Sequence, residues 1–380
     1  MKDISRYLNK HQYKKAYNKV YKAILKGDKT AYKYMGDLYQ AGYFVERNLN
    51  KALDYYQKGI EASDVDSYVS MGVLFLEGTA IKRDLEEAYN LFLEAYTSGA
   101  KDASFYLGYM SLNGLGCLES FNEAERFFLE GREKKESKSI YALASLYFKN
   151  DNVSNNKMKA VSLLKEAASL DNIRALKKLG DIYFAAKDVE QDLDYSFYCY
   201  KRGAALGDLD CIINTGEAYQ YGDGVKQNYK KAYKYYKEAL KLQSPTAYSR
   251  LGDLLYFGQG VKKNLIKAYL YYMEAATTSE QSEEVSYSYF CIGKMRYYGE
   301  GVTRDYNLAF EFFNNSVKAY NLAVAYLYLG KCYINGFGCE VDLKAGYDYL
   351  VRAQNEGCVD DEHLLDMLVV DLDGNIGFKN

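Results

Sequence analysis

The feature that most constrains the fold of this chain is a repeat with a period of 36 residues. A Leu-Gly or Met-Gly type of step recurs every 36 residues as far as residue 252, and then after steps of 41 and 37. We number the repeats 1 to 9 in chain order, by the small residue of this step: Gly36, Gly72, Gly108, Ala144, Gly180, Gly216, Gly252, Gly293 and Gly330. Further small residues keep the same spacing: Ala16, Ala52, Ala88, Ala124, Ala160, Ser196, Ala232, Ala268, Ala309 and Ala345. A fixed period of this size indicates a solenoid, which needs no internal domain boundary.

Each repeat is predicted to form two helices, A and B, joined by a glycine turn. In repeat 7, helical spacing of apolar residues extends from Thr246 to Phe257, and Gly258 and Gly260 then interrupt it. Asn264 is the expected N-cap of a second helix from Leu265 to about Ala276. A glycine inside helix A costs about 1 kcal/mol relative to alanine. We therefore expect the glycine to permit close approach of a neighbouring helix.

Helix B carries a pair of bulky residues, which we expect to wedge between successive repeats. The pairs are Tyr55-Tyr56, Leu91-Phe92, Phe127-Phe128, Leu163-Leu164, Tyr235-Tyr236, Tyr271-Tyr272 and Phe312-Phe313. Tyrosine suits this place because its ring can be buried while its hydroxyl reaches a polar partner.

The repeats divide the chain into three segments. Residues 28–357 hold nine repeats, residues 1–27 an N-terminal capping half repeat, and residues 358–380 a C-terminal capping helix and tail. Residues 11–27 match helix B and residues 359–372 match helix A, as terminal caps of a solenoid would. Repeats 4 and 5 lack the turn glycines, and residues 277–287 form a longer junction that is a candidate flex point.

Composition and charge narrow the function classes. The chain is 48% hydrophobic with a net charge of −2, so neither nucleic acid nor an anionic membrane is an expected partner. Charge is uneven: residues 1–33 hold ten Lys or Arg against two acids, and residues 354–380 hold seven acids against one Lys. Two solvated caps explain this bias, and a basic docking end or weak head-to-tail self-association of copies is the alternative.

The motif order within the repeats resembles that of Sel1-like repeats, which are relatives of tetratricopeptide repeats. A Leu-Gly step, an aromatic residue, Gly-x-Gly-Val, Asp or Asn, Lys-Ala, Tyr-Tyr and Ala-Ala follow one another, as in RLGDLLYFGQGVKKNLIKAYLYYMEAA. The resemblance implies an all-α fold, a right-handed α/α superhelix of about nine helix-turn-helix repeats with half-repeat caps. It also implies an adaptor that assembles proteins, with no common reaction and no cofactor.

Catalysis is the less favoured class. Ser162-Leu163-Leu164-Lys165 matches a Ser-x-x-Lys nucleophile pattern, and cysteine-rich relatives are linked to penicillin binding, so β-lactam hydrolysis is an alternative. The Ser-Asp-Asn and Lys-Thr-Gly partners and the regular cysteine pairs of those relatives are missing from the sequence. A secreted bacterial effector is a further alternative. We expect a non-catalytic scaffold.

Metal binding and targeting signals are also not expected. His11 and His363 are the only histidines, and Cys332 and Cys339 are read as buried thiols, with a zinc or redox pair as the alternative. The seven irregularly spaced cysteines, a polar N-terminal stretch and the lack of a long apolar run predict a cytoplasmic protein without a membrane span.

The predicted partner site is the concave groove that helix A generally lines in such solenoids. Residues three before, one after and four after the helix-A glycine should face this groove. The candidates are Val69, Val73, Leu76, Phe105, Tyr109, Leu112, Tyr141, Phe148, Phe290, Lys294, Tyr298 and Leu327. Those of repeats 2 to 4 should form an apolar and aromatic stripe that holds a peptide or helix of another protein. In repeats 5 to 7 the same columns become polar or acidic, as at Asp181, Glu217 and Asp253.

Overall fold

A computed structural model describes residues 3–9, 11–78, 82–149, 154–186, 189–277, 282–358, 363–370 and 376–379. The chain divides into two compact bodies, Met1–Leu179 and Gly180–Asn380. The architecture of both is helical, as predicted, and helices A and B alternate along the sequence.

The N-terminal body contains two short leading helices followed by the first repeats. The leading helices are α1 (Asp3–Asn9) and α2 (Tyr13–Leu25). Helices A and B then alternate as α3 (Ala31–Ala41), α4 (Leu49–Glu61), α5 (Val65–Glu77), α6 (Leu85–Thr97), α7 (Ala103–Asn113), α8 (Phe121–Glu133), α9 (Ser137–Lys149) and α10 (Ser154–Ser169). The division between the bodies falls within α11 (Ile173–Ala185).

The C-terminal body continues the alternation. Its helices are α12 (Leu193–Ala205), α13 (Leu209–Tyr221), α14 (Tyr229–Ala239), α15 (Pro245–Phe257), α16 (Leu265–Ala276), α17 (Glu283–Tyr298), α18 (Tyr306–Ala319), α19 (Ala323–Asn335), α20 (Leu343–Asn355) and α21 (Leu364–Met367), with a 3₁₀ turn at Leu240–Leu242. The N-cap predicted for repeat 7 is confirmed, since the Asn264 side chain accepts a hydrogen bond from Lys267 N at the start of α16. Pro245 is the first residue of α15, where its missing N–H is not needed.

The helix-A glycine packs against the residue 20 positions later, the second bulky residue of helix B in the same repeat. A Cβ atom at Gly108 would lie 2.5 Å from Phe128 Cε1, and one at Gly252 would lie 2.6 Å from Tyr272 Cε1. The same pairing joins Gly36 to Tyr56, Gly72 to Phe92, Gly180 to Tyr200, Gly216 to Tyr236, Gly293 to Phe313 and Gly330 to Leu350. The expectation that the glycine admits a neighbouring helix is confirmed. The second bulky residue thus fills its own repeat rather than the space between repeats.

The two turn glycines serve different purposes. Gly222 ends α13 in the left-handed conformation, with φ +91°, and its N–H bonds to Ala218 O. Gly224 also has positive φ, and a Cβ atom there would lie 1.9 Å from Leu193 O at the start of α12, helix B of the preceding repeat. The first glycine therefore caps helix A, and the second lets the turn contact the previous repeat.

Both ends differ from the predicted half repeats. The N-terminal segment contains α1 in addition to the predicted helix-B-like α2. At the C-terminus, helix A was predicted over residues 359–372, but α21 is a single turn. It leads into β1 (Leu368–Val370), which pairs antiparallel with β2 (Ile376–Phe378). Over residues 363–370 the prediction of a capping helix is wrong because the β-branched Val369 and Val370 favour extended backbone and the segment lacks the Leu-Gly step. The other predicted positions, 359–362 and 371–372, lie outside the described residues.

Three sequence features fall on residues outside the described ranges. These are parts of the turns of repeats 4 and 5, at residues 150–153 and 187–188, and residues 278–281 of the junction between repeats 7 and 8. The extra residues of that junction partly lengthen helix A of repeat 8, since α17 has 16 residues where α15 has 13.

Candidate protein-binding surfaces

The predicted stripe of repeat 2 is half-buried. Val69, Val73 and Leu76 pack against a core cluster that includes Phe92 and Leu107. These three side chains therefore belong partly to the core, and only their outer portions reach the surface.

Repeat 3 presents two aromatic residues on α7, of which Tyr109 is exposed and Phe105 half-buried. The rings of Phe105 and Tyr109 stack with centroids 6.4 Å apart, and 42% of Tyr109 is exposed. Lys138 Nζ, at the start of α9, lies 6.0 Å from the centre of the Phe105 ring and forms an ion pair of 2.8 Å with Asp102. A planar aromatic surface with a fixed cation beside it is a suitable binding hot spot.

The remaining predicted residues of repeats 3 and 4 are half-buried. They are Leu112 on α7 and Tyr141 and Phe148 on α9, two A helices in direct contact. Ser145, in the column one after the small residue, donates its hydroxyl to Tyr141 O within its own helix.

Two predicted residues of the C-terminal body are buried, which corrects the expectation that they line an open surface. Phe290 is 8% exposed because the rings of Phe313 and Tyr328 lie 6.1 and 5.4 Å from it, centre to centre. Leu327 is 6% exposed and packs in a core cluster with Ile334 and Leu350. Both residues contribute to the packing of repeats 8 and 9 rather than to a surface.

The other two predicted residues of this body remain accessible. The Lys294 ammonium lies 5.9 Å from the centre of the Tyr256 ring. Tyr298 is 49% exposed, and its hydroxyl lies 3.2 Å from that of Tyr328. Tyr298 follows Gly293 by five positions rather than four, so it lies outside the three columns that were predicted to face the groove.

That column supplies an exposed aromatic row. The residue five after the helix-A glycine is Tyr221 in repeat 6, Phe257 in repeat 7 and Tyr298 in repeat 8. Tyr221 and Phe257 are 59% and 60% exposed. Alignment of the repeats on their glycines, with every later column inspected, would have found this row.

The acidic column one after the glycine has an internal explanation. Asp37, Asp181 and Asp253 accept hydrogen bonds from the buried hydroxyls of Tyr56, Tyr200 and Tyr272, at 3.0, 2.8 and 2.7 Å. Each acid precedes its tyrosine by 19 positions. Where the later residue is Phe or Leu, the position after the small residue is not acidic: Val73, Tyr109, Ser145, Lys294 and Lys331. This column thus provides acceptors for buried tyrosine hydroxyls, although Asp37 also forms an ion pair of 2.8 Å with Lys33.

In repeat 6 the tyrosine is paired with the glutamine four after the glycine, a position from which Gln40 also reaches Tyr56, at 2.6 Å, in repeat 1. The Tyr236 hydroxyl donates to Gln220 Oε1 at 2.7 Å. Its acid, Glu217, instead forms an ion pair with Arg250 of repeat 7, with Nε and a terminal nitrogen 2.9 and 2.8 Å from the same carboxylate oxygen.

This ion pair lies in a cavity of about 260 Å³ in the C-terminal body. Phe184 and Tyr221, both largely exposed, and the polar side chains of Asn214 and Asp223 also line it. A pocket that combines aromatic rings with charged groups suits a side chain of a protein partner.

The sequence patterns considered for catalysis lie on exposed helix surface. Ser162 and Lys165 are exposed on α10, while Leu163 and Leu164 between them are buried.

Cys332 and Cys339 are free thiols that pack in the same core cluster, and burial raises the pKa of Cys332 to about 12. Among the described residues, no three His, Cys, Asp or Glu side chains are grouped so that they could hold a metal ion.

The alternating hairpins and their repeated glycine contacts define an α-helical repeat solenoid. The Sel1 repeat family matches nine segments: residues 30–64, 65–99, 101–134, 137–172, 173–208, 209–244, 245–277, 286–321 and 323–357. The chain therefore belongs to the Sel1 repeat family.

Solved structures share this fold. A protective antigen of uropathogenic Escherichia coli, described as displaying an SLR fold, is 20% identical with a TM-score of 0.53, covering 92% of this chain and 80% of that one. A Sel1 repeat protein from Oxalobacter formigenes is 25% identical with a TM-score of 0.52, covering 64% of this chain and 98% of that one.

No curated protein matches the chain closely enough to count as a relative. Within the described part of the chain, the helices are too short or too polar to cross a membrane.

Proposed function

We propose that this protein is a non-catalytic scaffold that binds a peptide or helix of a partner protein on its helix-A face. The Sel1 repeat fold is typical of protein–protein interaction scaffolds. The motif residues that define the repeats pack inside each repeat, as the contacts of the helix-A glycines illustrate, so they are not free to contact a partner. Specificity then comes from the residues of helix A that vary between repeats.

The observation that carries the proposal is the stack of the exposed Tyr109 on the half-buried Phe105, beside Lys138. Leu112, Tyr141 and Phe148 continue this surface with half-buried apolar groups. Large aromatic side chains surrounded by partly buried apolar contacts are the usual composition of a binding hot spot. In the C-terminal body, Tyr298 and Lys294 offer a second, smaller contact area.

We place the protein in a reducing compartment such as the cytoplasm, because its seven cysteines have irregular spacings that do not suit a disulfide framework. Fractionation of the source cells, with the native protein detected by antibody, tests this location.

The test compares partner capture by the parent protein and by Phe105→Ala/Tyr109→Ala. Proteins retained by the parent are identified by mass spectrometry, and each is then titrated in purified form by isothermal calorimetry. A true partner should lose at least about tenfold in affinity for the double variant. The control is Tyr198→Ala, which removes an exposed tyrosine from a B helix, α12.

Circular dichroism confirms that each variant is folded before binding is measured. Because Phe105 is half-buried, Tyr109→Ala alone serves as a second variant that leaves the packing of α7 intact. Unchanged affinity of a purified partner for both variants would remove the helix-A face of repeat 3 as the binding surface.

A further inference from the structure

A second surface, separate from the helix-A face, lies on α2 at the start of the chain. Lys15, Lys19, Lys22 and Lys26 follow one another at spacings of four, three and four residues, so they share one side of the helix. The core residues of α2, Ala16 and Val20, lie on another side. The four ammonium groups therefore form a row along the exposed part of the helix.

These lysines border a cleft of about 510 Å³ that Tyr7 of α1 and Asn18 of α2 also line. Lys19 Nζ lies 5.8 Å from the centre of the Tyr7 ring, which places this ammonium at the wall of the cleft. Asp28, the one acidic lining residue, already accepts hydrogen bonds from the Thr30 hydroxyl and N–H at 2.7 and 3.2 Å. Among the described residues that line the cleft, four ammonium groups thus accompany one carboxylate.

Three of these four lysines contribute positive charge that no carboxylate of the described residues neutralises. Among the side chains that the structure describes, no carboxylate lies within ion-pair distance of Lys15, Lys22 or Lys26. Neighbouring like charges repel one another at this spacing, so an anionic occupant relieves that repulsion.

We propose that this basic cleft binds an acidic segment of a partner protein. A helix with carboxylates at positions i, i+4, i+7 and i+11 reproduces the spacing of the four lysines, about 16 Å from end to end. The proposal does not depend on partner binding at Phe105 and Tyr109.

The aromatic neighbours of the cleft favour a protein over a single-stranded nucleic acid. Nonspecific binding of single strands relies on aromatic rings that are free to stack on bases. On α2, the Tyr13 ring is stacked on Tyr43 at 4.3 Å, and the Tyr17 ring lies 5.3 Å from Phe44. Within the cleft, Lys19 lies over the face of Tyr7.

The experiment uses a fluorescein-labelled, alanine-rich helical peptide with Glu at positions 1, 5, 8 and 12. Fluorescence anisotropy measures its affinity for the full-length protein, beside the same peptide with Gln at those positions and a 15-nucleotide single-stranded DNA. The Glu peptide should bind at low salt and weaken at least about tenfold in 0.5 M NaCl, since salt screens exposed charges. The Gln peptide should not bind measurably.

The test variant is Lys15→Gln/Lys22→Gln/Lys26→Gln. Its matched control is Lys230→Gln/Lys234→Gln/Lys237→Gln on α14, which removes three exposed lysines from an equivalent B helix. We expect the first triple variant to lose at least about tenfold in affinity for the Glu peptide and the control to change by less than about twofold.

Equal loss in both triple variants would show that the peptide responds only to total charge and would overturn the proposal. DNA binding tighter than peptide binding, abolished by the α2 variant, would assign the cleft to nucleic acid instead. Circular dichroism checks the fold of each variant. If the triple variant is unstable, Lys22→Gln alone should still lose about threefold, and an unchanged affinity there would also count against the cleft.

Discussion

The residue 20 positions after the helix-A glycine decides how each repeat is filled. Glycine faces Tyr or Phe in seven repeats and Leu350 in repeat 9, and the one alanine, Ala144, also occurs with the smaller leucine, Leu164. The volume of the two side chains is therefore shared within one contact. Close-packed interiors penalise any added methyl group that has no space to occupy.

This sharing predicts the effect of Gly108→Ala. The new Cβ would meet the Phe128 ring at 2.5 Å, so overpacking should exceed the helix-propensity gain of about 1 kcal/mol and lower the free energy of unfolding by about 1 kcal/mol or more. Gly108→Ala/Phe128→Leu, which copies repeat 4, should recover part of the loss. Urea unfolding measures all three proteins. A double variant no more stable than Gly108→Ala would contradict the shared-volume account.

A second pairing, between the residue after the glycine and the later tyrosine hydroxyl, predicts strong coupling in repeat 5. Asp181→Val leaves the buried Tyr200 hydroxyl without its acceptor at 2.8 Å, which should cost about 1–3 kcal/mol. Asp181→Val/Tyr200→Phe, which reproduces the pair Val73 and Phe92 of repeat 2, should be closer to the parent. A double-mutant cycle gives the coupling energy. Additive losses would show that the two residues do not act as a pair.

The buried acid of repeat 7 predicts a dependence of stability on pH. Burial raises the pKa of Asp253, although Tyr272 and Tyr287 donate hydrogen bonds to its carboxylate. The folded protein then keeps the Asp253 proton at pH values where the unfolded chain, with a pKa of about 3.9, has lost it. The free energy of unfolding should therefore fall as pH rises from about 4 through the folded pKa.

Asp253→Asn should remove this contribution. The free energies of unfolding of parent and variant are measured by urea titration at several pH values. As pH rises through that interval, the parent should lose stability relative to the variant. Other titrating groups cancel in the difference because both proteins contain them. A difference that stays constant between pH 4 and 7 would mean that Asp253 titrates at its ordinary value.

At the level of the helices, the glycine turn joins one repeat to the next. Gly224→Ala should be severely destabilising, because its Cβ would lie 1.9 Å from Leu193 O and its φ of +64° already disfavours a side chain. Gly207→Ala is the matched control, since φ there is +89° but no atom lies within 4 Å of the added Cβ. We expect Gly207→Ala to cost about 1 kcal/mol and Gly224→Ala at least twice as much by urea unfolding. Equal losses would show that only backbone conformation matters.

The sequence predicted most of the helices because one pattern fixes them nine times. The bounds of α16 and the cap at Asn264 follow from a single repeat and are confirmed. Prediction fails where the pattern ends: the segment around Val369 and Val370 has no glycine step, and residues 368–370 form a strand instead of part of helix A. The intrinsic backbone preference of these residues decides the structure there, because no following repeat packs against them to favour a helix.

The candidate surface was harder to predict than the helices. Spacing from a glycine places a residue on one side of helix A, and this suffices for the exposed Tyr109. It does not reveal how many rings from other helices cover that position. Phe290 shares the column of Phe105 but is enclosed by Phe313 and Tyr328, two residues contributed by later helices. Exposure depends on neighbours that the spacing within a single repeat does not specify.

For the molecule as a whole, contacts are local along the chain. Among the described helices, extensive packing joins sequence neighbours and, in three cases, consecutive A helices: α3 with α5, α7 with α9, and α15 with α17. Stability of such an array is approximately a sum of repeat and nearest-neighbour terms. A local defect should then lower the protection of its own region more than that of distant repeats.

Hydrogen exchange followed by mass spectrometry tests this locality with Gly224→Ala. The substitution loosens the contact between the repeat 6 turn and α12, so amides of α12, α13 and α14 should exchange faster than in the parent. Amides of α5 to α8, in the N-terminal body, should keep their rates, and Gly207→Ala should change both regions little. If α5 to α8 accelerate as much as α12 to α14, the protein unfolds as one cooperative unit, and the nearest-neighbour description fails for this chain.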